Sequence, residues 1–126
     1  MAQKIDIKQF IGETTEYDKK QMLEERRPKS WLKSVSAFAN GEGGALIFGI
    51  TDDGEVVGLK DVQHDSEVIS EQIKTKMDPV PDVNLKFHQV EDEKNLILLF
   101  VKKGDETPYF YNADGSRIAF VRIGNE

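Results

Sequence analysis

The sequence predicts an α+β domain: a mixed, mostly antiparallel sheet of about six strands with two main helices packed on one face. Three observations carry that expectation. Trp31, Leu32, Val35, Phe38 and Ala39 recur at helical spacing, and Ile69, Ile73 and Met77 repeat at i, i+4 and i+8. Ala45–Ile50 and Leu96–Val101 are short uncharged apolar runs, as expected of strands covered on both faces. Asp53-Gly54 and Asp114-Gly115 each lie between apolar stretches and tolerate the backbone angles of tight hairpin turns. Strands joined mainly by hairpins argue against a doubly wound parallel sheet.

Taken in order, Ile5, Phe10 and Ile11 make an apolar lead-in of one helical turn that bends at Gly12. Residues 13–17 read as a brief edge strand. Lys19 to Lys29 is dense in charge, with Met22 and Leu23 as its only apolar anchors, and reads as a solvated helix or loop ended by Pro28. The helix over 30–40 carries Lys33, Ser34 and Ser36 on its far side, and Asn40-Gly41 offers a left-handed stop. Ala45–Ile50 then turns at Asp53-Gly54 and returns through Val56-Val57. Asp65 and Ser66 are candidate N-caps for the second helix, which Pro79 and Pro81 end. Val83, Leu85 and Phe87 alternate with Asn84, Lys86 and His88, a half-buried strand. Glu91 to Asn95 is a polar turn, Leu96–Val101 a central strand, and residues 102–107 a loop. Pro108–Tyr111 and Arg117–Ile123 form the arms of the last hairpin. Two helices cannot cover both faces of such a sheet, so one face is expected to be open to solvent or a partner.

At 126 residues the chain suits a single domain, 1–126, with a core that needs no covalent staples. It has 17 basic and 23 acidic residues, a net charge of −6, so a wholly basic nucleic-acid glove is excluded and any phosphate contact must come from a local patch. The lack of cysteine excludes disulfides and thiolate metal sites and fits a reducing compartment. No apolar run reaches membrane-spanning length and the first residues lack a signal-peptide core, so the expectation is a soluble, cytoplasmic protein with no membrane partner.

A group of motifs now stands out: Ser36-Ala37-Phe38-Ala39-Asn40 followed by Gly43-Gly44, then Gly49-Ile50, Asp52-Asp53-Gly54 and Val57-Gly58-Leu59. Pro79 and Pro81, Pro108-Tyr109-Phe110, and the closing Phe120-Val121-Arg122-Ile123-Gly124 extend it. In these residues the chain resembles the Schlafen-type AlbA domain, a domain described as DNA-binding and also labelled a divergent AAA-type ATPase. The resemblance spans residues 12 to 124. It implies the N-terminal piece of a longer bacterial transcriptional regulator, non-enzymatic, with DNA as its partner.

The candidate chemistry is narrower. Gly41, Gly43 and Gly44 follow a helix and precede a strand, whereas a phosphate-binding loop runs from strand to helix, and no Gly-Lys-Ser/Thr is present. ATP binding is not expected, nor any cofactor. Nuclease members of the resembled family hold a divalent metal on two glutamates and an aspartate. Asp52 matches the aspartate and Glu16 the later glutamate, but Ile11 stands at the earlier position, Glu13 is out of register, and Asp18 replaces a usual lysine. A metal-dependent nuclease on Glu16 and Asp52 is thus an alternative with an incomplete ligand set. Arg26, Arg27, Lys29 and Lys33 gather within eight residues, and Arg117 and Arg122 sit on the final hairpin. These six are the candidate phosphate contacts, which the resemblance favours over a plain solvated charge run. Trp31 and Phe38 read as core. Tyr109, Phe110 and Tyr111 cannot all point inward, and an outward ring could stack on a base or seal a homodimer in a third, protein-interaction reading. His64 and His88 lack ligand spacing and read as surface residues.

Overall fold

The computed structural model describes residues 4–13, 15–113 and 115–122. In chain order these form helix α1 (Lys8–Ile11), strand β1 (Tyr17–Lys20), helix α2 (Lys29–Asn40), β2 (Gly44–Phe48), helix α3 (Val62–Lys76), β3 (Met77–Asp78), β4 (Val83–Val90), a 3-10 turn over Glu91–Glu93, β5 (Lys94–Val101), β6 (Phe110–Ala113) and β7 (Ser116–Ala119). The class is α+β as expected, but the strands divide into two sheets, β1-β2-β5-β4 and β3-β6-β7. Within the first, β1 runs parallel to β2 and the other pairs are antiparallel. Thr14, Asp114, Ile123 and Gly124, which figured in the expected edge strand, hairpin turn and closing motif, lie outside the described residues.

The apolar runs find their reason in two hydrophobic layers. Leu46 and Phe48 of β2 and Ile97, Leu99 and Val101 of β5 pack against Leu32, Val35 and Phe38 of α2 and Ile69 and Ile73 of α3. The alternate residues Ala45, Ile47, Leu96 and Leu98 face the other way, onto Ile7 and Ile11 beside α1. The second face, expected to stay open, is therefore covered over its central strands by the N-terminal lead-in. Each fully buried aliphatic or aromatic side chain contributes about 1.5–3 kcal/mol, and Trp31 adds an edge-to-face contact with Phe48 at 5.8 Å.

Other local expectations shift in register. The edge strand lies at Tyr17–Lys20, sharing only Tyr17 with the expected stretch. The Asp53-Gly54 turn forms, with Gly54 at φ +86°, but its return arm is a single Ile50–Val56 bridge. Asp61, not Asp65 or Ser66, caps α3, its carboxylate accepting from the His64 N–H at 3.0 Å. The left-handed residue after α2 is Gly43, at φ +85°, while Gly41 has φ −109°. Gly44 is required sterically, since a Cβ there would lie 2.5 Å from the Phe38 ring. Tyr109 and Tyr111 point inward, and half-buried Phe110 faces out beneath the Arg117 guanidinium at 4.4 Å.

Ser34 and Ser36, expected on the solvated side of α2, are buried. The helix is enclosed because the second sheet packs along its flank. Ser36 Oγ donates to Tyr109 O at 2.8 Å and accepts from Phe120 N at 3.0 Å. Asn40 Oδ1 accepts from Tyr109 N at 2.6 Å, and its Nδ2 donates to Tyr109 O and Phe120 O, both at 3.0 Å. Both mouths of the β6–β7 hairpin are thus fixed to one helix. Leaving such backbone groups without partners costs about 1–3 kcal/mol each, so Asn40→Ala should lower unfolding free energy by roughly 2–4 kcal/mol in urea titrations. Asn40→Asp should be no better, because it sets a carboxylate against two carbonyls. A loss below about 1 kcal/mol for the alanine variant would show that the second sheet is held by other means.

Candidate nucleic-acid interface

The charged loop between β1 and α2 is anchored at three points. Leu23 is buried in the main core. Glu25 Oε1 meets His64 Nε2 at 2.9 Å, and the Glu25 carbonyl accepts from Gln72 Nε2 at 2.9 Å. Both partners belong to α3, so the loop is strapped along that helix. The His64 pKa is raised from the usual 6.5, first by the Glu25 hydrogen bond and then by the Glu25 charge, against slight desolvation.

The strap delivers Arg26 and Arg27 to a groove that also contains Lys29 at the start of α2, Lys76 at the end of α3, and Asn112 of β6, with a volume of about 400 Å³. Among the described residues, none of these four cations has an acidic side chain within ion-pair distance. Lys76 was not among the sequence candidates. The signal that could have found it is its place in the last turn of α3, where Lys74 and Lys76 complement the helix C-terminus. The first turn of α2 holds no acidic residue, so the partial positive charge of that helix end adds to the groove.

The remaining candidates fall elsewhere. Lys33 is exposed one helical turn beyond Lys29 and does not line the groove. Arg117, opposite Asn112 in the β6–β7 ladder, pairs with Asp78 at 2.9 Å and covers Phe110. Arg122 is partly buried and already engaged by the protein itself. Its guanidinium sits 5.1 Å over the Phe38 ring, 3.0 Å from Asp18 and 3.5 Å from Glu16. Ser34 Oγ donates to the same Asp18 carboxylate. A cation so committed serves the closure of β1 onto α2 and the C-terminal segment, and it is not grouped with Arg26 and Arg27.

Glu16 and Asp52, the carboxylates of the nuclease alternative, do not converge. The Glu16 carbonyl accepts from Ala45 N before β1 begins, whereas Lys19 Nζ donates to the Asp52 carbonyl at the strand's far end. From Glu16 to Lys20, whose carbonyl accepts from Gly49 and Ile50 N just ahead of Asp52, the backbone spans about 13 Å. No set of three His, Asp or Glu side chains among the described residues could hold a metal ion, so the residues present do not fit that group. The cavity beside Gly43 and Gly44, about 570 Å³, is rimmed by Glu16 and Glu42 and by Lys102 and Lys103. Its charges are balanced, with Glu42 paired to Lys103 at 3.3 Å, and the adjoining end of α2 is a C-terminus, the wrong helix end for phosphate. No described helix is long and apolar enough to cross a membrane.

Comparison with known proteins agrees with this architecture. The N-terminal domain of a RecG-related protein from Nitrosomonas europaea, named for its relation to ATP-dependent DNA helicases, superposes with a TM-score of 0.62 at 26% identity. The match covers 93% of this chain and 84% of that one. The DIP2311 protein of Corynebacterium diphtheriae shares the fold at TM-score 0.56 and 21% identity, over 91% of this chain but only 21% of its own. No curated protein matches significantly. The family described as Schlafen, AlbA_2 matches residues 3–126, and the chain belongs to it.

Proposed function

We propose that this domain binds nucleic acid, DNA in preference, through backbone phosphates, as part of a bacterial transcriptional regulator, and that it does so without catalysing a reaction. The carrying observation is the groove in which Arg26, Arg27, Lys29 and Lys76 stand together without acidic partners among the described residues. Membership of the Schlafen, AlbA_2 family and likeness to the N-terminal domain of a RecG-related protein support the choice of ligand. Exposed Lys33 extends the positive row along α2. Arg117 is held by an exposed ion pair of the kind worth at most about 1 kcal/mol, so a phosphate can displace Asp78 from it. Arg122 is given no contact with ligand.

Phosphate neutralisation releases counterions, so affinity should fall steeply with salt. With three to four phosphates engaged, log K against log salt should have a slope of about −3 to −4 on duplex DNA, read by fluorescence anisotropy between about 50 and 200 mM salt. Arg26→Ala, Lys29→Ala and Lys76→Ala should each make that slope shallower by about 1. Lys103→Ala, which removes a cation paired with Glu42 on another surface, should leave it unchanged. Binding that ignores salt, or equal effects from Lys76 and Lys103, would overturn the reading; tighter binding to RNA of the same length would replace DNA as the ligand.

The strap on Arg26 and Arg27 adds a pH dependence. Because the folded His64 pKa lies above 6.5, its contribution is fully present below pH 6.5 and disappears as pH rises through the folded value. The difference in thermal midpoint between wild type and His64→Gln should therefore be positive at pH 6 and shrink toward zero at alkaline pH. Glu25→Gln should abolish the same difference. A pH-independent gap would mean that His64 acts through packing instead of charge.

A further inference from the structure

The four-stranded sheet ends on one side in β4, eight residues long, and among the described residues β5 is its sole strand partner. One hydrogen bond fixes which backbone groups face outward. Lys102 N donates to Asp82 O at 3.0 Å, spanning the Val83–Val101 pair. Val83–Val101 is therefore a non-hydrogen-bonded pair, and the two pair types alternate from there along the ladder. Val83, Leu85, Phe87 and Gln89 consequently turn their N–H and C=O groups away from β5, toward the open edge. The same residues stand on the helix-bearing face, where Val83 and Leu85 are only partly buried and Phe87 is 57% exposed. An edge of this length with an apolar margin is a template for another strand.

We propose that the occupant is β4 of a second copy, antiparallel about a two-fold axis through Leu85. A symmetric register centred on any β4 residue keeps the outward groups in step, and among those through Leu85, Lys86 and Phe87 the side-chain pairs decide. An axis through Lys86 sets Lys86 against itself, and like charges directly opposite are destabilising. An axis through Phe87 places Leu85 against Gln89 and Val83 against Glu91. The axis through Leu85 pairs Leu85 with its own copy and Val83 with Phe87 on the apolar face. On the opposite face it sets Asn84 against Lys86 and brings no like charges together; Asp82 stays with Lys102 and the His88 ring with Phe10. Self-complementarity of the apolar layer, with no like charges opposed in the other, favours a second copy of this chain over an unrelated strand, and the contact is isologous and closes on itself. It joins the two sheets into one and covers Phe87 without using the basic groove.

Because the chain contains no cysteine, the register can be read by cross-linking. Asn84 and Lys86 of opposite copies form a non-hydrogen-bonded pair, in which side chains approach most closely. An oxidised mixture of Asn84→Cys and Lys86→Cys proteins should give a disulfide-linked heterodimer, with little of either homodimer. Sedimentation of the unmodified chain should show a concentration-dependent dimer. Phe87→Asp, at a position exposed enough to be tolerated, should raise its dissociation constant about tenfold or more by removing two symmetric apolar pairs. A chain that stays monomeric at every concentration overturns the proposal and leaves the edge to an extended segment of another protein. A dimer indifferent to Phe87→Asp places the contact elsewhere, and predominant Lys86→Cys homodimer overturns the register. DNA affinity of Phe87→Asp monomer reports on the groove separately.

Discussion

Everything on the helical side of this domain depends on the attachment of the second sheet to α2 through Ser36 and Asn40. Hairpin β6–β7 and the short β3 have too few strands and too little apolar area to persist as an independent unit. Their stability is borrowed. Tyr109 and Tyr111 enter the main core, and the backbone at Tyr109 and Phe120 finds its hydrogen bonds on two side chains of one helical face. A helix ordinarily solvates such a face. Here the alternative partners, water molecules, are displaced by the tyrosines, so the polar side chains must supply every bond the backbone loses.

The same attachment builds the basic groove. With the mouths of the hairpin fixed at the C-terminal half of α2, β6 runs back along the helix, and Asn112 comes to rest beside the helix start. The end of α3 arrives from the other side through β3, whose Met77 and Asp78 pair with Tyr111 and Phe110. Lys29 and Lys76, 47 positions apart, are therefore brought together by the sheet that lies between them. The loop bearing Arg26 and Arg27 closes the arrangement because α3 holds Glu25 by side chain and backbone at once.

Much of this was legible in the residues. The spacing of Trp31 to Ala39 gave α2, and two uncharged runs gave β2 and β5, because period and run length are local properties. The Ser36–Asn40 motif and its glycines pointed to the family that the comparison returned. What local patterns could not reveal was the partner of each polar residue. Ser34 and Ser36 look solvated on a helical wheel, and only the folded positions of Asp18 and Tyr109 make their burial affordable. Arg122 and Arg26 are indistinguishable as letters, yet one lies among two carboxylates and an aromatic ring and the other in open groove. Lys76 was missed because a lysine ending an amphipathic helix is ordinary until β6 is placed beside it. The split into two sheets escaped for a related reason: strand lengths say nothing about which strands share hydrogen bonds.

The net charge of −6 stands in apparent conflict with a polyanion as ligand, and the geometry resolves it. At physiological ionic strength exposed charges are screened beyond about 8 Å, so a phosphate responds to the groove it enters and not to the sum over the molecule. Several acidic groups are moreover already matched: Glu25 by His64, Asp78 by Arg117, Asp82 by Lys102, Glu42 by Lys103, and Asp18 with Glu16 by Arg122. These pairs take out acids and bases in nearly equal number and, among the described residues, leave Arg26, Arg27, Lys29 and Lys76 without an acidic partner. The overall acidity then has a consequence of its own. It weakens attraction at long range, where screening is incomplete at low salt, and so favours ligands that reach into the groove over those merely drawn to the surface.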